Sequence, residues 1–477
     1  MLNDIFNIML PNMALGFFII LLLVLSMILP LKFYKYARLI SVIGISSAII
    51  LLSSVQTEPQ YFGFHNSVMS DSYTLLFNFM VLVCGFLVSI LSKNLIKTVK
   101  RNAYTFHALL LTAVLGAINI VSANDFLTLF ISLEVLGFST YFLIMVSKGY
   151  LSKEAGFKYL ITSAVSTGIF LFGVSYMYGI CGSLNFNTIY EYISERNYSI
   201  IYSVSAIMII LGLISKLAIL PFANWIIDVY KGTDSSVLAF LSTIPKLALF
   251  GIVCRLLVFP LSNCFELTFV IALLSILTGF WANTFGIREN NVKVILGCSS
   301  AANASYALLT ASLVSVYNLS TVIFYLICYV FMNLGAFAFL NMYGDKNSME
   351  VSSFKGIYHK NHGLVGAYAI CILGLAGIPV TAGFIAKIYL FTAIANSGLV
   401  FIPFLIVLLL LTVVALYYYL KILLPLFEKC DKNTDIITLR PLFSQKFVLT
   451  VSAILILLLG IFPEKIIELC KFIAYNI

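Results

Sequence analysis

The sequence predicts an all-α polytopic membrane protein with about fourteen transmembrane helices, and three observations support this fold class. The 477 residues are 61% hydrophobic and only 10% charged, whereas soluble domains carry about 25% charged residues. The mean hydropathy is +1.06. Apolar stretches long enough to cross a hydrocarbon core, roughly 20 residues each, recur along the whole chain with short gaps between them. Lipid is therefore expected to cover most of this apolar surface.

The apolar stretches define fourteen candidate spans. In chain order they cover 13–31, 37–56, 72–92, 106–122, 124–147, 157–181, 198–230, 234–258, 266–285, 290–313, 319–343, 363–398, 400–427 and 446–474. The first is too long for a signal-peptide core and is followed by further spans. We divide the chain into an N-terminal three-helix segment (1–105), two repeats (106–258 and 266–427) and a C-terminal helix (428–477).

Basic residues predict the orientation of the spans. Of the 28 Lys and Arg residues, 20 lie in or beside gaps that follow odd-numbered spans, whereas gaps after even-numbered spans hold only Arg196. The positive-inside rule then places the odd gaps in the cytoplasm and both termini in the periplasm. The net charge of +9 does not indicate nucleic-acid binding, because the basic residues are scattered between spans and do not form one soluble patch.

Motifs for metals and cofactors are absent from the sequence. No two of the nine cysteines form a CxxC pair, which argues against a zinc or iron–sulfur site. Glycine pairs with GxG spacing and a Walker A sequence are also absent. The four histidines, His65, His107, His359 and His362, lie in gaps or at span ends, where we expect surface or interfacial side chains. No cofactor, metal or redox centre is therefore expected on this chain.

Four charged residues lie inside apolar spans, namely Glu134, Lys216, Lys246 and Lys387. A charge at the centre of a membrane helix costs about 2.5–3.5 kcal/mol on the insertion scale, so their presence indicates a function. Acid–lysine chains within membranes are typical of proton relays. Glu134 also suits a structural role, as the partner of a lysine on the next helix.

Lys421 and Arg255 lie nearer to the ends of their spans. Long basic side chains in such places can extend to the lipid headgroups, and this is the role we expect for both residues.

Two spans contain helix-breaking residues. Span 7 carries Pro221 five residues after Lys216, and span 12 carries Pro379 eight residues before Lys387. Proline in a helix interior removes a hydrogen bond and kinks or breaks the helix. Interrupted spans at corresponding places are typical of transporters built from inverted repeats. We therefore predict two inverted five-helix repeats, spans 4–8 and 9–13, with broken helices 7 and 12.

Several segments resemble the antiporter-like membrane subunits of respiratory complex I, the proton-pumping NADH:quinone oxidoreductase. They are GLISKLAILPFANWIIDVYKG, STIPKLALFGIVCRLL, FISLEVLGFSTYFLIM, EAGFKYLITSAVSTGIFLFG and LAGIPVTAGFIAKIYLF. The branch that they resemble is subunit N of the bacterial complex, and the resemblance covers about residues 120–425. It implies that Glu134 is the acid of the fifth span and Lys158 the lysine beside it on the sixth. It also implies that Lys216, Lys246 and Lys387 continue a charged axis.

The resemblance also shows two departures from the family pattern. Where that pattern has a histidine in the seventh span, this chain has Ala223, and where it has one in the tenth span, this chain has Asn303. Both relay histidines are missing, so the axis runs through water or has a reduced conductance.

The resemblance implies a proton-translocating subunit of the bacterial inner (plasma) membrane. Its expected partners are the lipid bilayer, protons and the other membrane subunits of complex I, with no role for nucleic acid. FMN, the iron–sulfur clusters, NADH and quinone would be bound by other subunits. Two alternatives stay open: a subunit of a multisubunit cation/proton antiporter, which shares the KxxxxPF core, and an assembly subunit that does not pump.

Overall fold

Helices account for nearly all of the computed structural model of this protein. The structure describes residues 2–55, 61–146, 149–195, 200–262, 264–344, 349–429, 439 and 441–476. Arg196, on which part of the orientation argument depends, lies outside the described residues.

Nineteen α-helices follow one another along the described chain. The first half contains α1 (Leu2–Ile28), α2 (Tyr36–Leu52), α3 (Ser72–Leu91), α4 (Lys93–Val99), α5 (Ala103–Ser122), α6 (Phe126–Met145), α7 (Tyr150–Cys181), α8 (Phe186–Ser194), α9 (Ile200–Ile214), α10 (Trp225–Gly232) and α11 (Ser235–Val258). The second half contains α12 (Phe265–Arg288), α13 (Val292–Ser312), α14 (Val316–Tyr343), α15 (His362–Ala376), α16 (Ala382–Asn396), α17 (Ile402–Phe427), α18 (Phe443–Ile461) and α19 (Glu464–Tyr475). A small antiparallel hairpin, β1 (Tyr61–Gly63) and β2 (Val68–Ser70), lies between α2 and α3.

The predicted polytopic helical fold is confirmed. Twelve of the described helices are long and apolar enough to cross a membrane. The 17-residue α2 extends about 26 Å at 1.5 Å per residue, close to the thickness of a hydrocarbon core. This helix and the pair α15–α16 account for the two other predicted spans.

The seventh span is broken after α9. A short 3-10 helix, Ser215–Leu217, ends α9, and Ala218 then adopts a left-handed conformation with φ of 61°. The chain runs without helix past Pro221 and resumes as α10. The indole N–H of Trp225 donates to the carbonyl of Ser215 at 3.2 Å, so α10 is tied to the end of the preceding helix. The predicted break is confirmed.

The twelfth span is also broken, and it forms two half-helices. α15 ends at Ala376, and the next residue, Gly377, has a φ of 82°, which glycine adopts without steric cost. α16 begins after Pro379, and Val380 between them has a φ of 75°. The two halves cross closely at Gly383, where an added Cβ would meet the carbonyl oxygen of Gly374.

The last predicted span forms two helices in the structure. The span expected over 446–474 ends at Ile461, and α19 begins after Pro463 as a separate helix. Proline cannot continue the hydrogen-bond ladder of a helix, and this explains the break. α19 buries Ile467 and Cys470 but exposes Phe472, so it is amphipathic and packs along α14.

The most deeply buried helices are α11, α13 and α14. Every residue in the apolar windows of α11 and α13 is buried, as is 89% of the window of α14. These three helices therefore form the centre of the molecule. They carry Lys246, Asn303 and a series of hydroxyl side chains.

Two expectations about residues near span ends are wrong. His107 is buried, and its ring nitrogens lie 2.8 Å from the hydroxyl oxygen of Ser41 and 3.4 Å from that of Ser92. Arg255 does not extend to a headgroup region but forms a fully buried ion pair with Asp71 at 2.9 Å. Neighbouring helices cover both positions, and a one-dimensional apolar pattern does not contain this information.

Candidate functional site: buried lysines at and between the helix breaks

Lys216 lies in the break of the seventh span and is only 7% exposed. Its ammonium nitrogen donates to the carbonyl oxygen of Leu133 on α6 at 3.3 Å. A small cavity of about 10 Å³ adjoins Lys216 and is lined in part by Tyr159 and Ser163. Its volume is close to the room that one water molecule needs.

Glu134 lies close to Lys216 without forming a direct ion pair. The Thr167 hydroxyl of α7 donates to Glu134 Oε1 at 3.0 Å. Gly137, one turn further along α6, packs against the Lys216 ammonium, since a Cβ built on it would lie 3.5 Å from Nζ. Leu133, whose carbonyl oxygen accepts from the Lys216 ammonium, is the residue directly before Glu134. The structure therefore brings the predicted acid and the lysine of the broken helix into one neighbourhood.

Lys158 pairs with acids other than Glu134. Its ammonium nitrogen lies 2.8 Å from Glu154 on the same helix and 3.0 Å from Asp228 on α10. All three side chains are about two-fifths exposed. The Glu154–Lys158 spacing of four residues is the sequence signal for such a pair, whereas the contact with Asp228 depends on how α10 packs after the break.

Lys246 is 4% exposed and follows Pro245 in the interior of α11. Its ammonium nitrogen donates to both the carbonyl oxygen and the hydroxyl oxygen of Ser300 on α13, each at 2.5 Å. The same nitrogen lies 5.5 Å from the ring centroid of Tyr329 on α14, a distance at which a cation is attracted to an aromatic face.

Lys387 is 6% exposed and lies beside the break of the twelfth span. Its ammonium nitrogen donates to the carbonyl oxygens of Leu375 at 2.8 Å and Ala376 at 3.1 Å. These are the last carbonyls of α15, which lack helical partners and form the negative end of the helix dipole. The break therefore supplies the acceptors that hold the lysine.

Ala223 and Asn303 are both buried. The Asn303 amide donates to the hydroxyl oxygen of Ser299 at 3.3 Å and to that of Tyr419 at 3.2 Å. These two hydroxyl groups lie 2.5 Å apart. The sequence carries no signal for these hydroxyl groups, because serine and tyrosine are common in membrane helices and follow no chemical motif.

Lys216, Lys246 and Lys387 share one property. In the part of the chain that the structure describes, their ammonium groups bond to carbonyl or hydroxyl oxygens, and no carboxylate lies within 4.0 Å of them. The described residues also contain no group of three or more His, Cys, Asp or Glu side chains that could hold a metal ion. Buried ionisable groups of this kind mark ion or proton pathways in membrane proteins.

The fold and the site define a class: polytopic helical membrane proteins whose broken helices carry buried lysines. A family described as the transmembrane part of NADH:quinone oxidoreductase and Mrp antiporter subunits matches residues 123–413. The NADH-quinone oxidoreductase subunit N of Anoxybacillus flavithermus is 34% identical over 442 residues, which cover 89% of this chain and 88% of that protein. The subunit N of Pelagibacter ubique is 32% identical and covers 85% and 86% of the two chains.

Two solved structures are similar to this chain over nearly its whole length. A chain of respiratory complex I from Thermus thermophilus matches with a TM-score of 0.81 and 25% identity, covering 96% of this chain and 98% of that one. A chain of the Mrp complex from Dietzia matches with a TM-score of 0.85 at 18% identity, covering 100% and 98%, and so shares the fold. This chain belongs to the NADH:quinone oxidoreductase/Mrp antiporter family of membrane subunits, among relatives named subunit N.

Proposed function

We propose that this chain is a proton-translocating membrane subunit of an NADH:quinone oxidoreductase, and that Glu134, Lys158, Lys216, Lys246 and Lys387 carry the protons. The observation that supports this most is the placement of Lys216 and Lys387 at the two helix breaks. Both ammonium groups are buried and held by main-chain carbonyls. A lysine at a break can exchange its acceptor when the half-helices shift.

The proposed mechanism couples quinone reduction in other subunits to a change at Lys158. Lys158 is held by Glu154 and Asp228, and Lys216 donates to the carbonyl oxygen of Leu133, the residue before Glu134. A shift of these charges changes the proton affinity of Lys216, because a nearby carboxylate favours the charged form of a lysine. The proton then moves past Lys246 toward the second half of the axis.

The proposal extends to the setting of the chain. The other membrane subunits of the complex would be its partners in a bacterial inner membrane, with both termini in the periplasm. The two repeats would be residues 106–258 and 266–427. FMN, the iron–sulfur clusters and the NADH and quinone sites would lie on other subunits.

The antiporter alternative has weaker support. The Mrp likeness is a likeness of fold at 18% identity, whereas named relatives at 30–34% identity over most of the chain are NADH- or NAD(P)H-quinone oxidoreductase subunits. A role limited to assembly would not explain the buried lysines, since apolar residues at the same positions have a lower free-energy cost in a membrane helix.

Deletion of the gene tests the proposal. We expect inverted membrane vesicles from the deletion strain to lose NADH-driven acidification of their interior, and complementation to restore it. Unchanged NADH oxidation and acidification, together with the loss of sodium/proton exchange, would overturn the proposal in favour of the antiporter function.

A further inference from the structure

Hydroxyl groups continue the buried network beyond Lys246. The Lys246 nitrogen lies 2.5 Å from Ser300 Oγ, and Ser300 Oγ lies 2.7 Å from the hydroxyl oxygen of Tyr329. A hydroxyl group carries one donor and can accept through its lone pairs. The three side chains therefore form an unbroken hydrogen-bonded chain from α11 through α13 to α14.

Tyr329 is buried at the end of this hydrogen-bonded chain. It is 2% exposed, and the Asn333 side-chain amide donates to its main-chain carbonyl oxygen at 3.0 Å. Its ring lies against the Lys246 ammonium on one side and stacks on Tyr325 with a centroid distance of 6.1 Å. In this position the Tyr329 hydroxyl oxygen lies 2.7 Å from Ser300 Oγ.

The turn of α14 that contains this tyrosine lies level with Lys387. Met332 on α14 packs against Gly383 on α16, and Phe324 lies 6.2 Å from Tyr389, measured between ring centroids. As the residue number falls on α14 it rises on α16, so the two helices run antiparallel. The segment of α14 between these contacts therefore faces the segment of α16 that carries Lys387.

Asn303, the neighbouring amide on α13, cannot perform the same task. In a carboxamide the oxygen only accepts and the nitrogen only donates, whereas a hydroxyl oxygen can take one proton and release another. The amide hydrogen bonds of Asn303 lead to Ser299 and Tyr419, not to Lys246. A proton that leaves Lys246 meets Ser300 first.

We infer that Ser300 and Tyr329 form a hydroxyl relay that passes protons between Lys246 and Lys387; this inference rests on the proposed function. The Lys246 ammonium gives one proton to Ser300 Oγ while Ser300 gives its own hydroxyl proton to Tyr329. Tyr329 passes its own proton toward the neutral amine of Lys387. Each hydroxyl group ends with one proton, and no electrons are exchanged.

Removal of single hydroxyl groups tests the relay in the assembled complex. Tyr329→Phe keeps the ring, and Ser300→Ala removes only an oxygen. The matched control is Tyr368→Phe, since Tyr368 is a buried tyrosine stacked on Phe339 whose hydroxyl has no hydrogen-bond partner among the described residues. NADH-driven acidification of inverted vesicles is measured in H₂O and in D₂O.

We expect Tyr329→Phe and Ser300→Ala to lower the pumping rate at least fivefold and to raise its solvent deuterium isotope effect. Ser300→Thr, which keeps a hydroxyl group, should retain most of the rate, and Tyr368→Phe should match the wild type. A lower rate with an unchanged isotope effect would indicate a packing defect and overturn the relay.

Lys246→Ala distinguishes a failure of the hydroxyl relay from a failure of the proposed function. Wild-type pumping by Tyr329→Phe and Ser300→Ala, with pumping lost in Lys246→Ala, would overturn the relay and leave the proposed function intact. Wild-type pumping in all three variants would overturn both.

Discussion

The ammonium nitrogen of Lys158 lies 3.0 Å from Asp228 Oδ2, and this contact joins α7 to the half-helix that follows the break of the seventh span. Lys216 lies at the other side of that break. A change in the charge or position of Lys158 therefore acts on α10, and through α10 on the segment that positions Lys216. The contact therefore links the partly exposed cluster of Glu154, Lys158 and Asp228 to the buried Lys216.

This cluster predicts non-additive effects of its two acids. In Glu154→Gln, Lys158 keeps Asp228, and in Asp228→Asn it keeps Glu154, so each single variant should lower coupled pumping by no more than about threefold. The double variant leaves Lys158 without either acid and should lose more than the product of the two single effects, as expected for groups that share one partner. The measurement is vesicle acidification per NADH oxidised in the wild type, the two single variants and the double variant. Multiplicative effects would show that the two acids do not act through Lys158.

The buried ion pair of Arg255 and Asp71 predicts a large loss of stability when one partner is removed. Both side chains are at most 2% exposed, and breaking a buried pair costs about 3–5 kcal/mol because a charge stays behind unpaired. Asp71→Asn should therefore lower the thermal unfolding temperature of the purified complex, although asparagine can still cap α3 through the Thr74 N–H.

The double variant Asp71→Asn/Arg255→Met removes both charges and should recover part of that loss. If the double variant is less stable than Asp71→Asn alone, the pair does not stabilise the fold in the way described.

The crossing of the two half-helices predicts a strict need for glycine at one position. An added Cβ at Gly383 would collide with the carbonyl oxygen of Gly374, and backbone cannot move aside as a flexible side chain can. Gly383→Ala should therefore prevent stable insertion or assembly, as seen in the amount of intact complex on native gels. Gly366→Ala is the control, since a Cβ there meets nothing within 4 Å. Normal assembly of Gly383→Ala would contradict this packing.

The charged residues and helix breaks inside apolar spans could be predicted from the sequence, whereas the side chains that contact these charges could not. Lys216 and Lys387 are conspicuous because charges and prolines interrupt otherwise apolar runs, and the structure places both at helix breaks. Ser300 and Tyr329 have no such signal, because ordinary polar residues acquire a role only through the packing of α11, α13 and α14. The sequence pattern wrongly predicts an interfacial position for Arg255 for the same reason, because only the neighbouring helices bury this residue.

The proposed function depends most directly on proton transfer through Lys216 in the broken seventh span. NADH oxidation and interior acidification should be recorded together in inverted vesicles that carry Lys216→Ala, with Lys97→Ala as the control because Lys97 is exposed on α4. We predict that the assembled Lys216→Ala complex loses at least tenfold in pumping rate, equivalent to about 1.4 kcal/mol of activation free energy, while Lys97→Ala matches the wild type. Undiminished pumping by an assembled Lys216→Ala complex would show that protons do not pass through Lys216.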